Sequence, residues 1–248
     1  MPKLNSKQPL YCKSITKYLA RELHIILYPL FTGKSSIPDP KQYWFLCNIQ
    51  ERTDTSEIHQ LTKQRDSGVF VPMERIYGVD RAKKVINKNK KYYPQVNWIH
   101  SEWEKIIRSA AGKNNKYFDP ALVYLDTTSF EDRDPAVDLL KETLNFCQKD
   151  TLVICNLMMN NPRAGVGDVL FDPKIIVNNL FKSDNEEAFK DWNISPYSKK
   201  EKLFYSYQYQ TSCTVMRSYI FFKGILPKDP DLIRTFEEYR DWCNLFSE

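Results

Sequence analysis

Between Arg75 and Phe130 the chain repeats one pattern three times: a short β-branched or aromatic run that stops at a carboxylate or at small polar residues. The runs are Arg75-Ile76-Tyr77-Gly78-Val79-Asp80, Val96-Asn97-Trp98-Ile99-His100-Ser101-Glu102-Trp103 and Ala121-Leu122-Val123-Tyr124-Leu125-Asp126-Thr127-Thr128-Ser129-Phe130, with helical periodicity between them. Consecutive strand-helix units of this kind build a parallel sheet, whose strand ends open onto one shared crevice. The acids at 80, 102 and 126 are therefore the first site candidates.

The pattern extends in both directions. Tyr43 to Cys47 reads as a buried first strand, followed by a polar turn and a short helix around Ser56 to Gln64. Thr151 to Cys155 reads as a fifth strand ending in Asn156. Asp134 and Pro135 open a helix whose buried stripe is Ala136, Leu139, Leu140, Thr143, Leu144 and Cys147. Trp103, Ile106, Ile107 and Ala110 give the preceding helix its inward face. Leu203 to Gln210 and Val215 to Lys223, both rich in Tyr, Phe and Val, read as an antiparallel hairpin.

The expected fold class is α/β: a Rossmann-like, mostly parallel seven-stranded sheet with helices on both faces and a C-terminal antiparallel hairpin. Residues 1–42 form an N-terminal arm and a helix packed on the sheet, with Pro29 expected to end or kink that helix. Residues 43–223 form the main domain, with 158–202 an insertion or lid, and residues 224–248 a C-terminal helix. A chain of 248 residues suits this one-domain plan.

The six cysteines form no CxxC pair and no Cys/His group at metal-ligand spacing, so no metal site is expected. They suit reduced, buried thiols in a cytoplasmic protein. The N-terminus, with lysines interleaved among polar residues, does not read as a signal peptide, and no apolar run is long enough to span a bilayer. A net charge of +5 permits an anionic partner. Lys83 and Lys84 in the basic helix, and Arg163 in the Asn160 to Asp168 loop, are candidate nucleic-acid contacts; a solvated helix face is the competing reading of the lysines.

The order of five strand-then-helix units and a terminal hairpin resembles the class I S-adenosylmethionine-dependent methyltransferases. In that family an acid at the end of the second strand holds the ribose hydroxyls, which the resemblance places on Asp80, with Arg81 beside it. A small residue, an acid and an apolar residue after the third strand contact adenine, a role Ser101-Glu102-Trp103 would take. The turn after the first strand, where Asn48 stands, faces the methionine moiety. Asp126, Thr127 and Thr128 would form the reacting-centre loop.

The sequence departs from the family in one place that matters. Cys47-Asn48-Ile49-Gln50-Glu51-Arg52-Thr53-Asp54 has no glycine, although that turn is glycine-rich in the family. Two readings follow: a methyltransferase using S-adenosylmethionine, with nucleic acid as a candidate acceptor, or an inactive methyltransferase-fold scaffold that binds a partner protein. Individual residues carry alternatives as well. Asp80 could cap the helix that follows it, Glu102 could be a first-turn helix acid, and Trp103 could be core.

Overall fold

The computed structural model describes residues 25–47, 57–63, 68–111, 118–126, 133–158, 192–193, 206–211 and 214–224. The expectations for the N-terminal arm, most of the 158–202 segment and the C-terminal helix lie outside these residues.

Eight strands form one sheet among the described residues: β1 (Gln42–Leu46), β2 (Ile76–Asp80), β3 (Asn97–His100), β4 (Pro120–Asp126), β5 (Thr151–Met158), β6 (Trp192–Asn193), β7 (Ser206–Thr211) and β8 (Thr214–Lys223). Their order is β3-β2-β1-β4-β5-β8-β6, with β7 also paired to β8. The first five are parallel, and β8 runs antiparallel to β5, β6 and β7. Seven strands of four residues or more match the expected sheet, and two-residue β6 is an addition to it. Successive strands wind outward from β1 to β3, then the chain returns to the other side of β1 to lay down β4. Such a reversal opens a crevice at the carboxyl ends of the strands.

Side-chain alternation sorts the strands' apolar residues into two cores. Tyr43, Phe45, Ile76, Trp98, Leu122, Tyr124, Leu152, Ile154, Ile220 and Phe222 pack on one face. Against them lie α1 (residues 25–32), α2 (Glu57–Thr62) and α3 (Lys83–Tyr92). Trp44, Val79, Val123, Leu125, Val153, Cys155, Tyr219 and Phe221 pack on the other, under α4 (Trp103–Ala111) and α5 (Arg133–Phe146). Helix α5 begins at Arg133, one residue ahead of the expected Asp134 cap, and its Leu140, Thr143 and Leu144 are buried as the periodicity predicts.

Pro29 neither ends nor breaks α1, which continues to residue 32. A proline cannot donate to the carbonyl four residues back, which here is Ile25. That carbonyl instead accepts the Val69 N–H at 2.9 Å, so the lost helical bond is replaced by a tie to a neighbouring loop. The helix closes at Gly33, whose φ of +69° is the left-handed conformation of a helix stop and whose N–H reaches Pro29 O at 2.7 Å.

Gly78 is the one strand glycine that packing demands. A Cβ there would press into the Trp98 indole, which lies over β2 on the first core face. Trp98 is fixed in that position by a hydrogen bond from Nε1 to Tyr93 O at 2.8 Å.

Candidate active site at the carboxyl rim

The strands set which side chains meet at the rim. Asp126 of β4 pairs with Asn156 of β5, and Asn156 pairs with Ser218 of β8. The three lie in one cross-strand row on the face that carries Tyr124, Ile154 and Ile220. Cys47 follows β1 and Asp80 ends β2 on that same face, by the same alternation.

Hydrogen bonds link the members of the row. Ser218 Oγ donates to Asn156 Oδ1. The Asn156 amide nitrogen donates to the Tyr124 hydroxyl at 2.7 Å and to Asp126 Oδ1 at 3.3 Å. Asn156 and Ser218 are fully buried, Tyr124 almost so, and Asp126 is 8% exposed. The Ser218 and Tyr124 hydroxyls can each donate or accept, whereas a carboxylate accepts, so Asp126 is the partner that turns the Asn156 N–H groups its way and leaves the amide oxygen to Ser218. The Asp126 charge adds to burial in pushing the Cys155 thiol up on the opposite face.

At the other half of the rim, Asp80 Oδ1 accepts the Ala82 N–H at 2.6 Å. This bond pins the half-buried carboxylate at the start of α3, and Asp80 O accepts the Ser101 N–H at 3.1 Å, tying the ends of β2 and β3 together. Among the described residues Asp80 Oδ2 accepts no hydrogen bond, so one carboxylate oxygen remains for a ligand hydroxyl. The Cys47 thiol lies nearby: burial pushes it up first, then the charges of Asp80 and Glu57, against a hydrogen bond from Asn89. Glu57 itself is buried and accepts the Tyr43 hydroxyl.

The expected residues thus divide. Asp80 and Asp126 stand on one rim and one face. Arg81 is exposed, with its carbonyl 3.0 Å from His100 Nε2. Glu102 is at the rim but solvent-facing: Lys105 Nζ lies 2.9 Å from Glu102 Oε2, and that hydrogen bond, then the lysine's charge, hold the carboxyl below its usual range. Trp103 corrects the expectation. Its indole is buried, edge-on to Trp44 and Phe118, and Nε1 donates to Thr143 Oγ1 of α5 at 2.9 Å. The side chain belongs to the second core and cannot face a ligand in the crevice. Lys83 and Lys84 are exposed on α3. Asn48, Thr127, Thr128 and Arg163 lie outside the described residues.

Sequence reasoning missed the Tyr124-Asn156-Ser218 part of the row. Its one visible signal was Asn156 at the end of the fifth apolar run; Ser218, inside a Tyr/Phe/Ile run, gave none until β8 was registered against β5. Among the described residues no group of His, Cys, Asp and Glu could hold a metal ion, and no helix is long and apolar enough to cross a membrane.

Strand order β3-β2-β1-β4-β5 with an antiparallel strand beside β5 is the Rossmann-like fold of the class I S-adenosylmethionine-dependent methyltransferases, and this chain has that fold. The structure is similar to an O-methyltransferase from Bacillus cereus in complex with SAH, at a TM-score of 0.51 and 11% identity over 87% of this chain and 84% of that one. It is also similar to the N-methyltransferase NodS from Bradyrhizobium japonicum, at 0.48 and 9% over 84% and 97%. At such identities the likeness establishes the fold, and the first comparison carries it. No family model matches the sequence, and no curated protein matches it closely enough to count as a relative.

Proposed function

We propose that this chain is an S-adenosylmethionine-dependent methyltransferase acting on nucleic acid. The observation that carries the proposal is the placement of Asp80 and Asp126 on one rim and one face, with Asp80 Oδ2 accepting no hydrogen bond among the described residues. Asp80 would accept the ribose hydroxyls of the cofactor, and Arg81 and Glu102 would flank the adenosine. The bound cofactor supplies an electrophilic methyl group. Asp126, oriented by Asn156, with Thr127 and Thr128 following it, would hold the acceptor in line, so most of the rate would come from positioning.

A second reading, a non-catalytic scaffold for a partner protein, draws on two features: the Glu102 carboxylate engaged by Lys105, and the absence of glycine from Cys47 to Asp54. Calorimetric titration with S-adenosylmethionine and with its demethylated product separates the two. Saturable binding to the wild type that Asp80→Ala abolishes supports the enzyme. Absence of heat at millimolar cofactor sinks it and leaves the scaffold.

A further inference from the structure

Between Arg81 and Gln95 the sequence holds Arg81, Lys83, Lys84, Lys88, Lys90 and Lys91 and not one acid. The whole chain nets +5, so everything outside this segment is acidic by one charge. The segment is therefore a dense local run of positive charge.

Helix stability accounts for Lys90 and Lys91, which sit in the last turn at the negative pole of α3, but not for the cations at its other end. The positive pole of a helix favours acids in its first turn, yet α3 has none there, carries Lys83 and Lys84 at that end, and has no side-chain N-cap hydrogen bond at Ala82. Pairing accounts for none of the four among the described residues. On α4, Lys105 is bridged to Glu102 and Arg108 to Glu104. On α3, exposed Lys83, Lys84, Lys90 and Lys91 meet no carboxylate among the described residues. They lie away from Ile86 and Asn89, which are buried against the sheet.

We infer that the exposed face of α3 is a docking track for a nucleic-acid phosphate backbone, leading to the carboxyl rim. The helix begins three residues after Asp80, so Arg81, just ahead of it, and Lys83 and Lys84 in its first turn lie near the rim, while Lys90 and Lys91 lie two turns away. Seven residues of helix span about 10 Å, or about three phosphates at 3.4 Å per nucleotide of one duplex strand. An anionic membrane is the poorer occupant, because a surface helix must offer lipid an apolar face, and Ile86 is turned into the core with Val85 packed against it. The surface rests on the proposed function only for the purpose of the bound strand, as the methyl acceptor; its charge stands alone.

The test is fluorescence anisotropy of a labelled 20-base-pair DNA duplex and a 20-nucleotide RNA, titrated from 50 to 200 mM salt. The wild type is compared with Lys83→Gln/Lys84→Gln/Lys90→Gln/Lys91→Gln and with a charge-matched control, Lys34→Gln/Lys63→Gln/Arg108→Gln/Lys149→Gln, each checked by thermal melting. Losing about three phosphate contacts should flatten the duplex log-log salt slope by roughly 3 and weaken binding at least about tenfold at 100 mM salt, with the control within about threefold of wild type. Equal losses in both variants, or no wild-type binding at 50 mM salt, overturn the inference. So does cosedimentation with phosphatidylserine vesicles in place of nucleic-acid binding. Cofactor titration of the same preparations keeps the two proposals apart: salt-dependent binding lost only in the α3 variant, without cofactor heat, ends the methyl-transfer reading and leaves the track.

Discussion

Asn156 faces Asp126 across β5 and β4 in direct register, and its amide nitrogen lies 3.3 Å from Asp126 Oδ1. With its N–H turned toward that carboxylate, the amide offers its oxygen to Ser218, and a candidate reacting-centre acid is thereby connected to the C-terminal hairpin.

Replacing Asn156 with Leu keeps the volume and removes the bonds from its amide to the Ser218 and Tyr124 hydroxyls and to the Asp126 carboxylate. Each buried polar group so exposed costs about 1–3 kcal/mol, so urea denaturation should show a loss on the order of 3 kcal/mol or more. Asn156→Asp tests the charge. A second carboxylate against Asp126 raises the folded-state pKa of the pair above its unfolded value, which favours the folded state only while the pair holds a proton. The variant should therefore be closest to wild type near pH 4 and fall away as pH rises to 7. A loss that does not change between those pH values would mean that the two carboxylates do not meet.

Asp80 has two separable jobs, because one oxygen serves Ala82 N–H and the other is open to a ligand. Asp80→Asn can keep the turn that starts α3 while losing the charge and the double acceptor. Asp80→Ala loses both, at a cost of about 1 kcal/mol for the lost turn hydrogen bond ahead of α3. If the ribose role is right, cofactor affinity drops in both variants, whereas melting temperature drops mainly in Asp80→Ala. Cofactor affinity that follows stability instead would reduce Asp80 to a cap.

What the sequence disclosed, and what it hid, follows from how local each cause is. The strand runs, the buried stripe of α5 and the inward face of α4 are written in apolar periodicity, and the sheet order follows from βα repetition. Asp80 and Asp126 were visible because a strand end is a local event. Trp103 carried two readings, adenine contact and core, because the same spacing that makes a residue follow a strand-end acid also makes it the first inward residue of α4; its burial beside Thr143, forty residues on, is the core reading. Pro29 misled for a similar reason. Its compensating donor, Val69, is far along the chain, so the sequence reads Pro29 as the end or a kink of the helix rather than as part of its continuation. Ser218 and Asn156 became a pair only through antiparallel register.

Gly78 should tolerate no side chain. Its missing Cβ is the space occupied by the Trp98 ring, with Phe45 on the other side, and Trp98 cannot swing away without breaking its bond to Tyr93 O. Gly78→Ala should destabilise the fold by about 1–3 kcal/mol through overpacking, measured by urea melts. Adding Trp98→Leu should return part of that loss, because the smaller side chain vacates the contested volume. A double variant that is strictly additive would show that the two sites do not press on each other.

The buried acids of the core make the fold sensitive to alkali. Burial raises the Cys147 thiol from 9.0 to about 12 against the opposing charges of Lys223 and Lys41, and Tyr28 from 10.0 to about 12, burial first and the Asp150 charge second. Cys47 and Cys155 are shifted in the same direction. In each case the folded chain keeps a proton that the unfolded chain gives up. The unfolded state thus binds fewer protons above its own pKa, and unfolding becomes more favourable as pH rises. The stability these groups contribute is intact below about pH 9 and should be lost progressively between the unfolded values and about pH 12. Urea midpoints should hold steady from pH 7 to 8.5 and fall increasingly steeply from pH 9 to 11. At pH 8, Cys47, Cys147 and Cys155 should react with a thiol reagent only at the rate of unfolding, and mass mapping that finds any of them labelled at the rate of a free thiol would contradict their burial.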